Sequence, residues 1–392
     1  MLIRILVATV LCCSVGHTET ANSCNGLYGN FSQHLASSTP YRYIANYNTT
    51  PVEFEGCNAS KIWLVVRHGT RTPGKESHEF LKKRILEIHQ DFINNLVEHE
   101  GNLCNADEIK SWSFNKKMNS PKWLTEEGED ELFTIAERMK LRFPQLLNKT
   151  FENTNYLFRY SNTQRAKISA QQFASGLFGR NEVEKIPLDK SLNEELLRFY
   201  EVCEKWKKDV KTSFLAALEY HKFIGSQLTN NTLKKLSSRL GLNYTLKFMD
   251  AKNIYVYCAL ETAWVKSKIS PWCSVFDKTD LMVLEYSEDL IHYLMDGYTF
   301  ELTCQQSCVL LKNMVEHFDN DDLNSKNGIF YFAHSGTVLK LLGLLKLYKD
   351  ETELKHDNYF EMENRKWRTS KIDPFAANIA FVLYKYLNDS SD

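Results

Sequence analysis

No repeat and no low-complexity tract runs through the 392 residues, and charge of neither sign prevails. Lysine and arginine number 48 against 49 aspartates and glutamates, a formal net charge of −1. That balance gives no bulk attraction to nucleic acid, so any affinity for anions must come from a local cluster of charges. Beyond the N-terminus no stretch reaches the roughly 18 uncharged apolar residues that a membrane-spanning helix needs. Metal-ligand spacing is missing too: Cys304 and Cys308 have no accompanying histidine cluster. Apolar residues at 43% and charged residues at 25% sit near the globular average and exclude disordered and collagen-like classes. The length suits one large domain, or a core plus a subdomain.

What is present begins with a leader. Met1 to Arg4 is positive, Ile5 to Val15 is apolar, and the small residues Ser14 and Gly16 close the run. This reads as a signal peptide over residues 1–18, followed by a mature domain over 19–392. Setting Cys12 and Cys13 aside with it leaves Cys24, Cys57, Cys104, Cys203, Cys258, Cys273, Cys304 and Cys308. An even number in an exported chain reads as disulfides of undetermined pairing. Asn30, Asn48, Asn58, Asn148, Asn230, Asn243 and Asn388 stand in glycosylation sequons. No ER-retention tetrapeptide closes the chain. The expectation is a secreted glycoprotein without a membrane anchor, with the ER lumen as the alternative.

Residues 17–60 show little periodicity. Lys61 to Val66, Tyr156 to Tyr160, Gly328 to Ala333 and Ala376 to Tyr386 are short apolar runs that suit buried strands. Between them, Glu76 to His99, Gln164 to Phe178 and Thr337 to Lys349 follow a helical period, and a helix starts near Thr125 with Glu126 and Glu127 in its first turn. Residues 190–270 are charged and helical in pattern. Strands alternating with helices predict an α/β sheet with covered faces, its ligands at the strand ends.

The chemistry sits at such an end. Arg67-His68-Gly69-Thr70-Arg71-Thr72-Pro73 follows the first strand. Arginine pairs bidentately with phosphate and keeps its charge. A histidine between two arginines stays neutral more readily, and a neutral ring nitrogen can attack phosphorus. Arg159-Tyr160-Ser161-Asn162-Thr163-Gln164-Arg165 follows a second strand, and Phe332-Ala333-His334 ends a third.

These strings resemble the RHGxRxP signature and companion segments of the histidine acid phosphatases. The segments Leu197 to Trp206 and Trp367 to Tyr384 look most like the inositol polyphosphate phosphatase branch. Phosphoglycerate mutases share only the shorter RHG core. The resemblance implies a phosphoglycerate-mutase-like α/β core sheet covered by helices, with an inserted, mostly helical cap over roughly 181–270. It implies that His68 is the nucleophile that becomes a phosphohistidine, with His334 as the distal catalytic histidine. Arg67, Arg71 and Arg165 would bind the phosphoryl group, without a metal or other cofactor. The substrate would be a small phosphomonoester, an inositol polyphosphate such as phytate by preference or a bisphosphoglycerate.

One departure stands out. Where phytases read His-Asp and the inositol polyphosphate branch reads His-Ala-Glu, this chain reads His334-Ser335-Gly336-Thr337. A general acid contributes about 10²–10⁴-fold. Three readings follow: a carboxyl reaching in from elsewhere, a proton from a substrate phosphate or water, or an anion-binding protein with weak catalysis. Lys205, Lys207, Lys208 and Lys211 offer further cations for a polyphosphate, although a solvated helix face is the better reading of that run. An acidic optimum is expected, with His334 cationic while His68 stays neutral.

Overall fold

The computed structural model describes residues 31–95, 103, 105–114, 120–148, 150–191, 194–214, 217–322 and 325–386. Residues 1–18, expected to be a leader, lie outside them, as do Cys24, Cys104, Asn30, Asn388 and the last turn of the helix expected to reach His99. A five-stranded sheet forms the centre, with β1 (Cys57–Arg67), β2 (Tyr156–Tyr160), β3 (Leu188–Lys190), β4 (Gly328–Ala333) and β5 (Asn378–Tyr386) in the order β3-β2-β4-β1-β5. All neighbours are parallel except β5, which runs antiparallel to β1.

Every residue of β4 is buried, as an unbroken apolar strand in the middle of a sheet covered on both faces requires. Alternation along β1 divides its side chains. Ile62, Leu64 and Val66 join Phe158, Phe173 and Phe330 on one face, while Trp63 and Val65 join Tyr331, Phe381 and Leu339 on the other. Phe158 stacks on Phe330 with ring centroids 4.9 Å apart, and Trp63 meets Tyr331 edge-on at 5.6 Å.

The longer helices are α1 (Lys75–Asn95), α2 (Glu126–Arg142), α3 (Gln164–Phe178), α4 (Gln227–Arg239), α5 (Phe248–Trp264), α6 (Lys278–Asp296), α7 (Cys308–Asp319) and α8 (Ser335–Leu344). Thr125 caps α2 by accepting from Gly128 N at 3.2 Å, and Thr163 caps α3 by accepting from Ala166 N. A second core gathers α1, α4, α5 and the start of α6 around Ile88, Leu236, Tyr255, Trp272 and Leu284. The Cys258–Cys273 disulfide lies in it. Cys57, Cys203, Cys304 and Cys308 are free thiols. Asn48, Asn58, Asn148, Asn230 and Asn243 are all exposed. Among the described residues no helix is long and apolar enough to cross a membrane, and no group of metal-ligating side chains forms.

Three boundaries differ from the sequence pattern for physical reasons. β1 starts at Cys57 because β5 pairs with it as far as Tyr386. Helix α8 starts at Ser335 and stops at Leu344, and Lys346 and Tyr348 then take left-handed backbone at φ 55° and 59°. β5 begins only after Ala376, whose φ of 56° turns the chain out of the pocket.

Phe330 is fully buried at the middle of the sheet. Phe330→Ala should lower the unfolding free energy by about 3–5 kcal/mol in urea denaturation, the usual cost of emptying such a site. A loss below about 1 kcal/mol would mean that the sheet is not packed as described.

Candidate active site

The parallel register of β1 and β4 pairs Arg67 with Ala333. The next residue on each strand is a histidine. His68 N donates to Ala333 O at 3.1 Å, and the two rings, of His68 and His334, meet edge-on with centroids 5.3 Å apart. β2 ends one step earlier in the same row, and Ser161 N donates to Phe332 O at 3.0 Å. Three strand ends thus converge at the carboxyl edge of the sheet, where an α/β fold opens its crevice.

The loop after His68 is clamped against α2. A Cβ on Gly69 would lie 2.4 Å from Gly128 O, and one on Gly128 would lie 2.3 Å from Thr70 O. Only glycine permits so close an approach at either position. Glu131 accepts from Thr70 N at 2.7 Å and Thr70 Oγ1 at 2.9 Å, and also from Tyr41 N at 3.1 Å. Burial pushes the Glu131 carboxyl up to about 7 against the pull of these hydrogen bonds.

The ring bonds fix both tautomers. His68 Nδ1 must donate to Gly69 O, 2.9 Å away, which leaves Nε2 with its lone pair. His334 Nδ1 accepts from Arg165 Nη2 at 3.3 Å, so Nε2 carries the proton and donates to Ser161 Oγ at 2.7 Å. Burial lowers the pKa of His68 well below the ordinary value, and His334, Arg165, Arg71 and Arg67 add to the effect. Burial also leads the depression of His334, with Arg165, Arg198, Arg71 and Arg67 behind it. Against the expectation of a cationic His334, burial and then the surrounding arginines disfavour an imidazolium there.

The structure brings Arg67, Arg71 and Arg165 around His68, each in a different situation. Arg67 is buried; its Nη1 donates to Ser37 O at 2.7 Å and to Asp373 O, and lies 3.3 Å from Asp373 Oδ2. Its Nε has no partner. Arg71 donates to Thr72 O at 2.8 Å. Burial, then Arg67 and Arg165, bring its pKa down to about 9. Arg165 is brought to about 10 by burial and then by Arg198. Arg198, missed at the sequence level although it lies in a segment quoted above, stands close enough to act on both Arg165 and His334. Lys205, Lys207 and Lys211 pair instead with Asp209, Glu204 and Glu201, which is the behaviour of a solvated face.

The departure after His334 has a structural setting. A Cβ on Gly336 would lie 3.2 Å from Tyr200 Cζ and 3.3 Å from Asp296 Oδ1. An acidic side chain there would start beside another carboxylate. Asp296 in turn pairs with His292 at 2.8 Å and with the buried Lys340.

Residues 61–392 match the model of the histidine phosphatase superfamily (branch 2). Multiple inositol polyphosphate phosphatase 1 of Drosophila melanogaster is 36% identical over 372 residues, which cover 91% of this chain and 76% of that protein. The Homo sapiens protein of the same name is 28% identical over 365 residues, covering 85% and 72%. Among solved structures, the phytase from D. castellii has a TM-score of 0.71 at 16% identity, covering 92% of this chain and 78% of its own. Bifidobacterium longum multiple inositol polyphosphate phosphatase in complex with inositol hexasulfate has a TM-score of 0.70 at 15% identity, covering 91% and 89%. Those two likenesses show the fold.

In the ligand-free protein at about pH 6, nitrogen NMR of labelled histidine should find His68 neutral with the proton on Nδ1 and His334 neutral with the proton on Nε2. His292 should titrate above its ordinary value. Burial opposes that rise, but the hydrogen bond and charge of Asp296, with Asp373 and Glu288, outweigh it. An imidazolium at His68 at that pH would remove the basis for nucleophilic attack.

Proposed function

The chain belongs to branch 2 of the histidine phosphatase superfamily, and we propose that it hydrolyses phosphomonoesters through a phosphohistidine on His68, with inositol polyphosphates as preferred substrates. One observation carries the reading. A neutral His68, its Nδ1 bonded to a backbone carbonyl, leaves Nε2 free in a buried nest of arginines. The arginines neutralise the phosphoryl oxygens as charge shifts onto the leaving group, and they keep the nucleophile unprotonated. His334, tied to Arg165, gives up that bond as the phosphoryl group enters. The names of the relatives support the inositol polyphosphate class.

The setting we propose is the secretory route, with secretion preferred over residence in the ER lumen. Support comes from the leader over residues 1–18, from a disulfide, and from exposed sequon asparagines. Of the span 181–270 expected as a cap, β3 belongs to the sheet, and the helical part that follows it would act as a cap over the pocket. A second reading, an anion-binding protein with weak turnover, draws on Ser335 and Gly336 standing where the family has its acid.

Wild type should release phosphate from inositol hexakisphosphate below neutral pH, and His68→Ala should fall to the assay background. Arg165→Ala should lower kcat/KM by about 10²–10³-fold, the usual loss for one preorganised donor to the transition state. An acid-labile, base-stable radiolabel on wild type but not on His68→Ala would identify the phosphohistidine. Binding of inositol hexakisphosphate without turnover would favour the second reading.

A further inference from the structure

The residue after the distal histidine is a serine, and that serine is not isolated. Ser335 is half-buried at the first turn of α8, and its hydroxyl donates to Asp373 Oδ2. Asp373 lies in the segment that leads into β5 and is completely buried. Its Oδ1 has no hydrogen-bond partner, and its Oδ2 faces Arg67 Nη1 at 3.3 Å. A carboxyl thus sits one hydroxyl away from the position just after the distal histidine, at which phytases carry their acid. It reaches the pocket from a part of the chain remote in sequence.

We propose that Ser335 delivers the proton to the leaving alcohol and that Asp373 supplies it through Ser335. This rests on the phosphatase reading above. In the first step His68 Nε2 forms a bond to phosphorus and the bond from phosphorus to the ester oxygen breaks, its electron pair staying on that oxygen. With Asp373 protonated its carboxyl donates to Ser335 Oγ and the Ser335 hydroxyl turns to the ester oxygen, so the hydroxyl proton moves to that oxygen as the carboxyl proton moves to Ser335 Oγ. The carboxylate left behind faces Arg67, which stabilises it. In the second step water attacks the phosphohistidine, and its proton returns through Ser335 to Asp373. Alcohol and inorganic phosphate are released, and both residues regain their starting state.

The surroundings suit a carboxyl that holds its proton in mild acid. Burial raises Asp373 to about 6, while Arg67, the Ser335 hydrogen bond and His292 oppose the rise and Asp296 adds to it. Arg67 faces it from the end of β1, Ser335 from α8, and His292 and Asp296 from α6. Below about 6 the acid form prevails, while His68 remains neutral because its own pKa is depressed. The sign is therefore that protonation of the leaving group is lost as pH rises through about 6.

Asp373 acts through Ser335, so the test must separate proton delivery from support of Arg67. Inositol hexakisphosphate releases an alkoxide that needs a proton, whereas p-nitrophenyl phosphate releases a stable phenolate that does not. Ser335→Ala and Asp373→Asn should each lower kcat/KM on inositol hexakisphosphate by about 10²-fold or more, leave p-nitrophenyl phosphate within about threefold, and abolish the fall in rate through pH 6. Ser335→Thr, which keeps the hydroxyl, should recover most of the loss. Equal losses on both esters would show that Asp373 only holds Arg67 and would overturn the proposal. So would wild-type rates in both variants, or a selective loss confined to His292→Gln. If wild type cleaves neither ester, the phosphatase reading itself fails and takes this one with it; cleavage of both esters with either overturning pattern removes the proton path alone.

Discussion

Arg67, Arg71, Arg165 and Arg198 press like charges together at the carboxyl edge of the sheet, where little water remains to separate them. Two unit charges 4 Å apart repel by about 4 kcal/mol at an effective dielectric constant near 20. Burial first, and that pressure after it, bring the pKa values of Arg71 and Arg165 down to about 9 and about 10. Neighbouring parts of the molecule hold the cluster against it. Backbone bonds between β1 and β4 fix the histidines, carbonyls of Ser37 and Asp373 hold the Arg67 guanidinium, and Phe375 lies under it at 4.7 Å. A phosphate dianion is the natural relief, and the pocket is complementary to it before it arrives.

The same crowding decides protonation. Two histidines with rings in contact would ordinarily share one proton at mildly acid pH. Here both are held neutral, by burial first and by arginines next. Carboxyls nearby move the other way: Asp373 and Glu131 are raised, to about 6 and about 7. The site thus inverts the ordinary order of acid strength, with imidazoles as bases and a carboxyl as the available acid. Environments that drive titratable groups apart in this manner separate nucleophile from proton donor.

Much of this was legible from residue order alone. β2, β4 and α3 occupy the spans that their patterns suggested, because buried strands in a covered sheet are continuous apolar runs and an isolated helix face repeats every 3.6 residues. His68 and Arg71 stood out as part of a basic string at a strand end, while Arg165 and His334 stood out through the resemblance of their segments to the family's. The contact between Ser335 and Asp373 did not, since nothing local marks it; the one trace is a charged residue between Ile372 and Pro374 in an otherwise apolar approach to β5. Arg67 looked like a simple phosphate ligand, yet most of its polar contacts go to the protein's own backbone. Cysteine pairing was equally beyond reach, because an even count says nothing about which sulfurs meet.

The loop that carries His68 is closed by residues far along the chain. Ala376 N donates to His68 O at 3.2 Å, Arg67 N donates to Ala377 O at 2.8 Å, and β5 then zips along β1. A ribosome makes β1 more than 300 residues before β5. Throughout that interval the strand and its cationic loop lack their neighbour, and an edge of β1 stays open to wrong pairing. Assembly of the site is thereby deferred until β5 has been made, so a translation product cut short before β5 carries the Arg67-His68-Gly69 string but not its pairing.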